Sequence, residues 1–231
     1  MEQGLSHIRE AIEKLDKRSS SPTPMHSDCE PQQSNETDII VSKLKRFNIS
    51  SLNHTFENYK VRPGNREAYE TLKAIGEGSS SLKFVLIYGG TGNGKTFLLE
   101  ATVIAWAKRG IASRYQTVSD IAMMLKSSMS PHHIPPYEIM FRNICEHERL
   151  ILDDFGMGTV ESVWEQSTLE DIINRRYHMR YYPYPMVTLM ATNKDISELP
   201  DRIVSRFYDP EFGKVILNKE GDYRKGGAHG N

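Results

Sequence analysis

From residue 84 onward, the chain alternates short apolar runs with longer stretches in which apolar residues recur at helical spacing. The short runs have the length and the β-branched or aromatic residues of strands. Alternation of this kind predicts an α/β fold whose parallel sheet is flanked by helices on both faces. The predicted strands are residues 84–88, 113–116, 150–153, 186–191 and 214–217, and the predicted helices include residues 95–108, 119–126, 136–146 and 168–179.

The first 18 residues have a different pattern, that of one short amphipathic helix. An isolated helix of this length is marginally stable in water. We therefore expect its apolar face to pack either on the main domain or on a partner protein, and the pattern leaves both open. This face consists of Leu5, Ile8, Ile12 and Leu15.

A polar stretch separates this helix from the rest of the chain. Residues 19–40 are rich in Ser, Pro and Gln over most of their length, a composition that buries too little apolar surface to become ordered. They are predicted to form a flexible linker. The main domain is predicted to span residues 41–224, followed by a disordered tail at residues 225–231.

Length and charge narrow the possible classes of protein. The 231 residues accommodate one full domain and an appendage, which excludes two large domains. A formal net charge of -1 argues against binding nucleic acid through the field of the whole molecule. Residues 1–40 carry 4 basic and 8 acidic side chains, however, and the remainder carries 25 and 22. The near-zero total charge is therefore the sum of an acidic N-terminal part and a mildly basic domain. Any contact with nucleic acid is expected to involve a local patch.

The cysteines and the apolar runs indicate in which cellular compartment the protein is expected. Cys29 and Cys145 stand far apart and outside any metal-ligand spacing, so neither a disulfide framework nor a zinc module is predicted. The N-terminus has no apolar signal-peptide core, and no run approaches the ~18 apolar residues of a membrane span. We expect a cytoplasmic protein that does not contact the membrane.

The most informative stretch lies where the first predicted strand meets the helix at residues 95–108. Here the chain matches the phosphate-binding pattern G-x-x-x-x-G-K-[ST] in full, with Gly89, Gly90, Thr91, Gly92, Asn93, Gly94, Lys95 and Thr96. Glycines allow successive backbone N–H groups to surround phosphate oxygens at a helix N-terminus. In such a loop Lys95 reaches the β- and γ-phosphates, and the Thr96 hydroxyl binds Mg²⁺. The sequence therefore predicts a nucleoside triphosphate site.

Polar residues follow two other predicted strands, at the sheet edge where ligands bind. Asp153 and Asp154 come directly after an apolar run, and Asn193 closely follows the strand at residues 186–191. Asp153 is predicted to hold the metal, and Asp154 to orient or deprotonate the attacking water. The amide of Asn193 is predicted to sense the γ-phosphate without adding charge.

Two arginines lie four residues apart on one face of a short predicted helix, DRIVSRF. An arginine offered by a neighbouring subunit stabilises the charge on a transferred phosphoryl group and makes hydrolysis depend on assembly. Arg206 and Arg202 are candidates for this role. The alternative is that both belong to a solvated helix face.

Taken together, GGTGNGKT, LILDDFG, INRRY, MATN and DRIVSRF, in this order and spacing, resemble the AAA+ ATPases of the DnaC/DnaI type. These are the replicative helicase loaders, within the IstB-like ATP-binding superfamily, and the similarity covers residues 47–224. The resemblance implies a P-loop AAA+ core without a C-terminal lid domain. It assigns Walker A to residues 89–96, Walker B to Asp153 and Asp154, sensor 1 to Asn193, and the arginine finger to Arg206, with Arg202 as the alternative.

The same resemblance implies what the protein acts on. ATP and Mg²⁺ are the expected cofactors, and ATP is expected to be hydrolysed between subunits of a homo-oligomer. A replicative helicase and single-stranded DNA are the expected partners. Residues 175–184 combine arginines with tyrosines, which pair with phosphates and stack on bases. The candidates for DNA contact are Arg175, Arg176, Tyr177 and Arg180, and the alternative is that this run packs the helix on the sheet.

Two other functions stay open at this level. A transposition helper ATPase of the IstB type has a Walker B that resembles LILDDFG equally well, although DRIVSRF and TFENYKV favour the loader. The second open function is a nucleotide-gated binding module that hydrolyses little ATP. It is suggested by Asp154, which stands where the catalytic base is commonly a glutamate.

Overall fold

The structure is a computed structural model that describes residues 49–156, 163–182 and 186–223. Cys29, the predicted N-terminal helix and linker, and the predicted tail lie outside the described residues. None of the helices in the described part is long and apolar enough to cross a membrane.

Five strands of the described chain form one parallel sheet: β1 (Phe84–Tyr88), β2 (Arg114–Thr117), β3 (Arg149–Phe155), β4 (Val187–Thr192) and β5 (Gly213–Leu217). Their order is β2-β3-β4-β1-β5. Tyr88 at the end of β1 pairs with Thr192 of β4 on one side and with Leu217 of β5 on the other. The carboxyl ends of these strands therefore meet at one edge, where α/β sheets bind ligands.

Six α-helices in the described residues cover the sheet: α1 (Arg66–Glu77), α2 (Lys95–Lys108), α3 (Val118–Ser128), α4 (Tyr137–Cys145), α5 (Val163–His178) and α6 (Asp201–Phe207). A 3₁₀ turn, Met179–Tyr181, continues α5, and another, Ile196–Glu198, precedes α6. α3 begins directly after β2, where the Thr117 side chain accepts the backbone N–H of Asp120 at 3.1 Å. This side-chain cap satisfies one of the free donors at the start of the helix.

Both faces of the sheet are buried, which explains the continuous apolar sequence of β1. Val85 and Ile87 belong to a core cluster on the face covered by α1 and α2, together with Trp106. Phe84 and Leu86 belong to a second cluster, formed with residues of α3 to α6. A strand covered on both faces has no side that tolerates polar residues. The predicted α/β fold with helices on both faces is confirmed.

Within the described residues, the five predicted strands and the predicted helices are all present, with ends that differ by a few residues. The largest difference is at α5, which begins at Val163 rather than at residue 168. α1 is not among the predicted elements, although its buried residues Ala68, Leu72 and Ile75 recur at helical spacing. β3 continues to Phe155, beyond the predicted end at residue 153.

Candidate nucleotide-binding site

The loop between β1 and α2 has a backbone that requires glycine at two positions. Gly89 has a φ of 134°, and a Cβ atom there would stand 2.3 Å from the carbonyl oxygen of Asn218. Gly94 has a φ of 91° at the N-cap of α2, in a region that side chains disfavour. The loop thus packs against the end of β5 and leads directly into the positive N-terminus of α2.

Lys95 lies inside this loop and is 5% exposed. Its ammonium group donates hydrogen bonds to the carbonyl oxygens of Gly89 at 2.8 Å and Gly90 at 2.7 Å. It also donates to Oδ1 of Asn93 at 3.0 Å and to Oδ1 of Asn193 at 2.6 Å. The structure therefore brings two of the predicted site residues, Lys95 and Asn193, into direct contact.

Burial also changes the acidity of this lysine. Loss of solvation lowers the pKa of Lys95 to about 8, and the nearby carboxylates of Asp153 and Asp154 oppose this effect. Negative charge favours the ammonium form, so bound phosphates would act in the same direction as the two carboxylates. Lys95 is a cation whose surroundings suit an anionic ligand.

A β-bulge brings the two acids of β3 to the same site. β3 pairs regularly with β4 up to Leu152 and again at Phe155, so Asp153 and Asp154 together face a single position of β4. Asp154 has a φ of 54°, in the left-handed region that is uncommon for residues other than glycine. In a regular strand, consecutive side chains point to opposite faces. The bulge re-aims them, as bulges next to active sites often do.

Asp153 is buried, and two hydrogen bonds hold its carboxylate. The Tyr115 hydroxyl donates to Oδ2 at 2.7 Å, and the backbone N–H of Asp154 donates to Oδ1 at 2.9 Å. Interaction with the Thr96 side chain also favours the ionised form of Asp153. Burial raises the pKa of Asp153, and the hydrogen bond from Tyr115 opposes this shift. Tyr115 is not among the predicted site residues, because nothing in the composition of β2 marks it.

The contact between Thr96 and Asp153 suits a magnesium ion. Mg²⁺ prefers oxygen ligands and is usually held by one or two protein groups, substrate phosphates and water. In the described residues there is no group of three or more His, Cys, Asp or Glu side chains that would form an all-protein metal site. The hydroxyl and the carboxylate fit an ion that arrives with the nucleotide.

A cavity of ≈ 490 Å³ lies over the P-loop, a volume typical of small-molecule sites. Its lining includes Asp154, Asn193 and the P-loop residues from Thr91 to Thr96. The segments before α1 and after β5 also contribute to the wall, although neither contains a predicted site residue. These contributors are Ser50, His54, Asn58, Tyr59, Lys60 and Tyr223.

Glu100 of α2 anchors the first part of this wall. It is 1% exposed, and its carboxylate accepts the Ser50 backbone N–H at 2.8 Å and the Ser50 hydroxyl at 3.0 Å. Nδ1 of His54 lies 2.5 Å from the same carboxylate, and the His54 ring lies 4.2 Å from the Phe97 ring. In the sequence, Glu100 stands out as the single acidic residue of the largely apolar α2, and this could have indicated a buried polar contact.

The segment after β5 passes over the P-loop and joins the other side of the wall. The backbone N–H of Tyr223 donates to the Gly92 carbonyl oxygen at 3.0 Å. Its hydroxyl accepts a hydrogen bond from Nδ2 of Asn65 at 2.5 Å. Tyr223 thus connects the phosphate-binding loop to the segment that precedes α1.

The two candidate finger arginines lie on α6 and do not line the cavity of their own chain. Arg202 is highly exposed, and its guanidinium lies 3.9 Å from the Glu170 carboxylate. Arg206 donates to Oδ1 of Asn174 at 3.1 Å, and its guanidinium lies 4.8 Å from the centre of the Tyr177 ring. Their roles stay predictions, since each would act on a neighbouring subunit.

Arg176 corrects the predicted DNA-binding set. It is 0% exposed, and its guanidinium donates to Oγ1 of Thr188 at 2.8 Å. It also donates to the carbonyl oxygens of Cys145, His147 and Val187, at 2.8, 2.6 and 2.8 Å. The prediction that Arg176 contacts DNA is wrong, because this side chain is fully used in fastening α5 to the sheet.

The other candidates for DNA contact differ in how many contacts their side chains make within the domain. The Arg180 guanidinium lies 3.8 Å from the centre of the Tyr177 ring and 3.7 Å from the Asp209 carboxylate. The Tyr177 hydroxyl donates to the same carboxylate. Arg175 is half exposed and lies 3.8 Å from Glu146. The roles of Arg175, Arg180 and Tyr177 in DNA binding stay predictions.

The fold and the site define a P-loop ATPase domain of the AAA+ class, and no lid domain follows the sheet within the described residues. The family model for the bacterial DnaA ATPase domain matches residues 51–209. This match covers more than half of the chain, so the chain belongs to the bacterial DnaA ATPase domain family. Membership confirms the predicted AAA+ core and implies nucleotide binding.

Among curated relatives, the chromosomal replication initiator protein DnaA of Aquifex aeolicus (strain VF5) is 35% identical over 160 residues, which are 67% of this chain and 37% of that protein. DnaA of Rickettsia bellii (strain OSU 85-389) is 28% identical over 183 residues, 73% of this chain and 37% of that protein. The chain therefore spans well under half the length of these relatives.

Solved structures share the fold. AMPPCP-bound DnaA from Aquifex aeolicus has a TM-score of 0.58 at 26% identity, covering 75% of this chain and 53% of that one. DnaA bound to AMPPCP and single-stranded DNA has a TM-score of 0.61 at 26% identity, covering 74% and 51%. The DnaC helicase loader has a TM-score of 0.60 at 22% identity, covering 76% and 99%.

Proposed function

We propose that this chain is an ATP-hydrolysing protein of DNA replication that loads a replicative helicase onto single-stranded DNA. The observation that carries the ATPase part is that Lys95, Asp154 and Asn193 line one cavity at the P-loop. Membership in the DnaA ATPase domain family supports a role in replication. The predicted cytoplasmic location is part of the proposal.

Five polar residues at the P-loop and at the ends of β3 and β4 each have a proposed task in hydrolysis. Lys95 binds the β- and γ-phosphates, while Thr96 and Asp153 would hold Mg²⁺, which neutralises phosphate charge when bound. Asp154 takes a proton from the attacking water as the water oxygen bonds to the γ-phosphorus. The bond from that phosphorus to the ADP oxygen then breaks. The Asn193 amide orients the water or the γ-phosphate without adding charge.

Assembly of a homo-oligomer completes this site. Arg206 is the proposed finger and Arg202 the alternative, because both lie on α6, outside the cavity of their own chain. An arginine from a neighbouring subunit would stabilise the charge on the transferred phosphoryl group. ATP would then favour self-association, and hydrolysis would release it.

The finer assignment, helicase loading, rests on the motifs shared with the loaders and on the fold shared with DnaC over 99% of the solved loader chain. The structure of DnaA bound to AMPPCP and single-stranded DNA supports a DNA partner for a protein of this fold. Arg175 is the proposed phosphate contact on this chain. The apolar face of residues 1–18 is the proposed contact with the helicase.

Nucleotide binding and turnover test the first part of the proposal. Binding of a fluorescent ATP analogue should be lost in Lys95→Ala, and phosphate release should fall about 100-fold or more in Asp154→Asn while binding persists. Lys108→Ala, at the far end of α2, should leave both unchanged. Wild-type binding without phosphate release, with or without single-stranded DNA, would instead favour a nucleotide-gated module with little turnover.

Capture of the replicative helicase of the source cell tests the second part. The full chain with ATP should retain the purified helicase, and Ile8→Asp with Ile12→Asp should lose it. Glu10→Ala with Lys17→Ala, on the charged face of the same predicted helix, is the matched control. Failure of the wild-type chain to bind this helicase contradicts helicase loading.

A DnaA-like initiator is the second candidate function, and the family match favours it. That function predicts ATP-dependent assembly on DNA of the chromosomal origin. A gel-shift assay with origin DNA, run beside the helicase capture, measures the two activities separately. Binding to a transposase rather than to either replication target would favour the IstB-type helper.

A further inference from the structure

Tyr115 lies outside the sequence motifs, and it contacts Asp153, the acid predicted to hold the metal. It lies in β2 opposite Ile151 of β3, two positions before the pair formed by Thr117 and Asp153. Its ring belongs to the core cluster that also contains Ile151. The length of a tyrosine side chain carries the hydroxyl along the strand to Oδ2 of Asp153, at 2.7 Å.

The carboxylate of Asp153 depends on donors of this kind. It is 2% exposed, and a buried carboxylate without hydrogen bonds is costly. Oδ1 accepts the backbone N–H of Asp154 at 2.9 Å, and the Thr96 side chain interacts with the same carboxylate. A threonine at this position of a P-loop turns its hydroxyl to Mg²⁺ when nucleotide binds. Tyr115 is therefore the side-chain donor whose hydrogen bond to Asp153 does not compete with the metal.

The chemistry of a phenol suits this task. A neutral hydroxyl donates one hydrogen bond and orients the carboxylate, whereas a lysine or arginine would also neutralise the charge that attracts the metal. Oδ2 accepts from Tyr115 and Oδ1 accepts from the backbone N–H of Asp154, which leaves one lone pair on each oxygen for Mg²⁺ or its water. The bond thus holds Asp153 in one rotamer without reducing its value as a ligand.

We propose that Tyr115 is a positioning residue that holds Asp153 in the orientation needed to bind the magnesium ion of Mg-ATP. This inference rests on the proposed ATPase function. We expect its effect on the coupling between metal and nucleotide, because the Tyr115 hydroxyl bonds to Asp153, whereas Lys95 bonds to carbonyl oxygens of the P-loop. Removing the hydroxyl should therefore weaken nucleotide binding when Mg²⁺ is present and leave binding in EDTA unchanged.

The test uses Tyr115→Phe in the full chain, which keeps the buried ring and removes the hydroxyl. The affinity for a fluorescent ATP analogue is measured in Mg²⁺ and in EDTA. The ratio of the two affinities should fall severalfold, and the Mg²⁺ concentration for half-maximal binding should rise. Tyr137→Phe removes a hydroxyl from α4, outside the cavity lining, and should change neither quantity. Unfolding in urea checks that both variants are folded.

A double variant shows whether Tyr115 acts through Asp153. In an Asp153→Asn background the effect of Tyr115→Phe on the Mg²⁺ ratio should disappear. Persistence of the full effect in that background overturns the inference, and so does an unchanged ratio in Tyr115→Phe alone. Absence of ATP binding by the wild-type chain would contradict the proposed function itself, so the two failures are distinguishable.

Discussion

Asn93 of the P-loop and Asn218 after β5 hold each other by two reciprocal hydrogen bonds. Nδ2 of Asn93 donates to the Asn218 carbonyl oxygen at 3.0 Å, and Nδ2 of Asn218 donates to the Asn93 carbonyl oxygen at 3.0 Å. Both residues are 1% exposed. Because Oδ1 of Asn93 also accepts from Lys95, the pair connects the end of the sheet to the phosphate-binding lysine.

Replacing Asn218 should therefore affect both stability and nucleotide binding. Asn218→Ala leaves the buried Asn93 carbonyl unpaired, so we expect a loss of about 1–3 kcal/mol in the free energy of unfolding. We also expect a severalfold loss of affinity for a fluorescent ATP analogue, because the loop around Lys95 loses its support. Asn143→Ala, at an exposed position of α4, is the matched control in the urea and binding measurements. Unchanged affinity in a destabilised Asn218→Ala would contradict the link.

Arg176 should prove to be a structural residue. Arg176→Lys leaves several of its four buried acceptors without a donor, because a lysine presents one nitrogen where arginine presents a fork. We expect the free energy of unfolding to fall by about 3 kcal/mol or more, measured by urea denaturation. Arg175→Lys, one residue earlier and half exposed, should change stability by less than about 0.5 kcal/mol. Equal stability of both variants would show that the buried contacts of Arg176 do not matter.

The arginine finger should be identified by mixing variants. Arg206→Ala lacks the finger but keeps Asp154, whereas Asp154→Asn lacks the base but keeps Arg206. Each alone should release phosphate slowly, and a mixture should recover part of the activity, because some interfaces then combine an intact base with an intact finger. Arg202→Ala should retain activity alone. Recovery in mixtures with Arg202→Ala, together with an active Arg206→Ala, would reverse the assignment.

His147 should make the fold sensitive to acid. Burial, together with the positive charges of Arg114 and Arg176, lowers the pKa of His147 to about 4. Between the ordinary histidine pKa of about 6.5 and this value, the unfolded chain binds a proton that the folded chain does not. The free energy of unfolding should therefore fall as the pH decreases through this window, by at most about 1.4 kcal/mol per pH unit from this group.

Urea denaturation at pH 7 and pH 5 measures this effect. The decrease between the two should be smaller in His147→Gln than in the wild type. His132→Gln, at an exposed position of the loop before α4, should show the wild-type decrease. An identical decrease in all three proteins would place the acid sensitivity elsewhere.

Sequence patterns predict the strands and helices, the P-loop and the acids at the end of β3. These features are local: a buried strand needs consecutive apolar residues, and the loop needs glycines where φ is positive. The candidate residues Lys95, Asp154 and Asn193 were found because each stands next to such a local pattern.

Tertiary structure alone decided which side chains meet. Tyr115 and Asp153 are 38 residues apart and Asn93 and Asn218 are 125 apart, distances over which no periodic pattern carries information. The same holds for Arg176, for which the run of arginines and tyrosines left DNA contact and packing on the sheet both open, and which the fold buries among carbonyl oxygens. The physical reason is that burial and hydrogen-bond partners depend on how strands and helices pack, and sequence spacing specifies only the faces that each element presents.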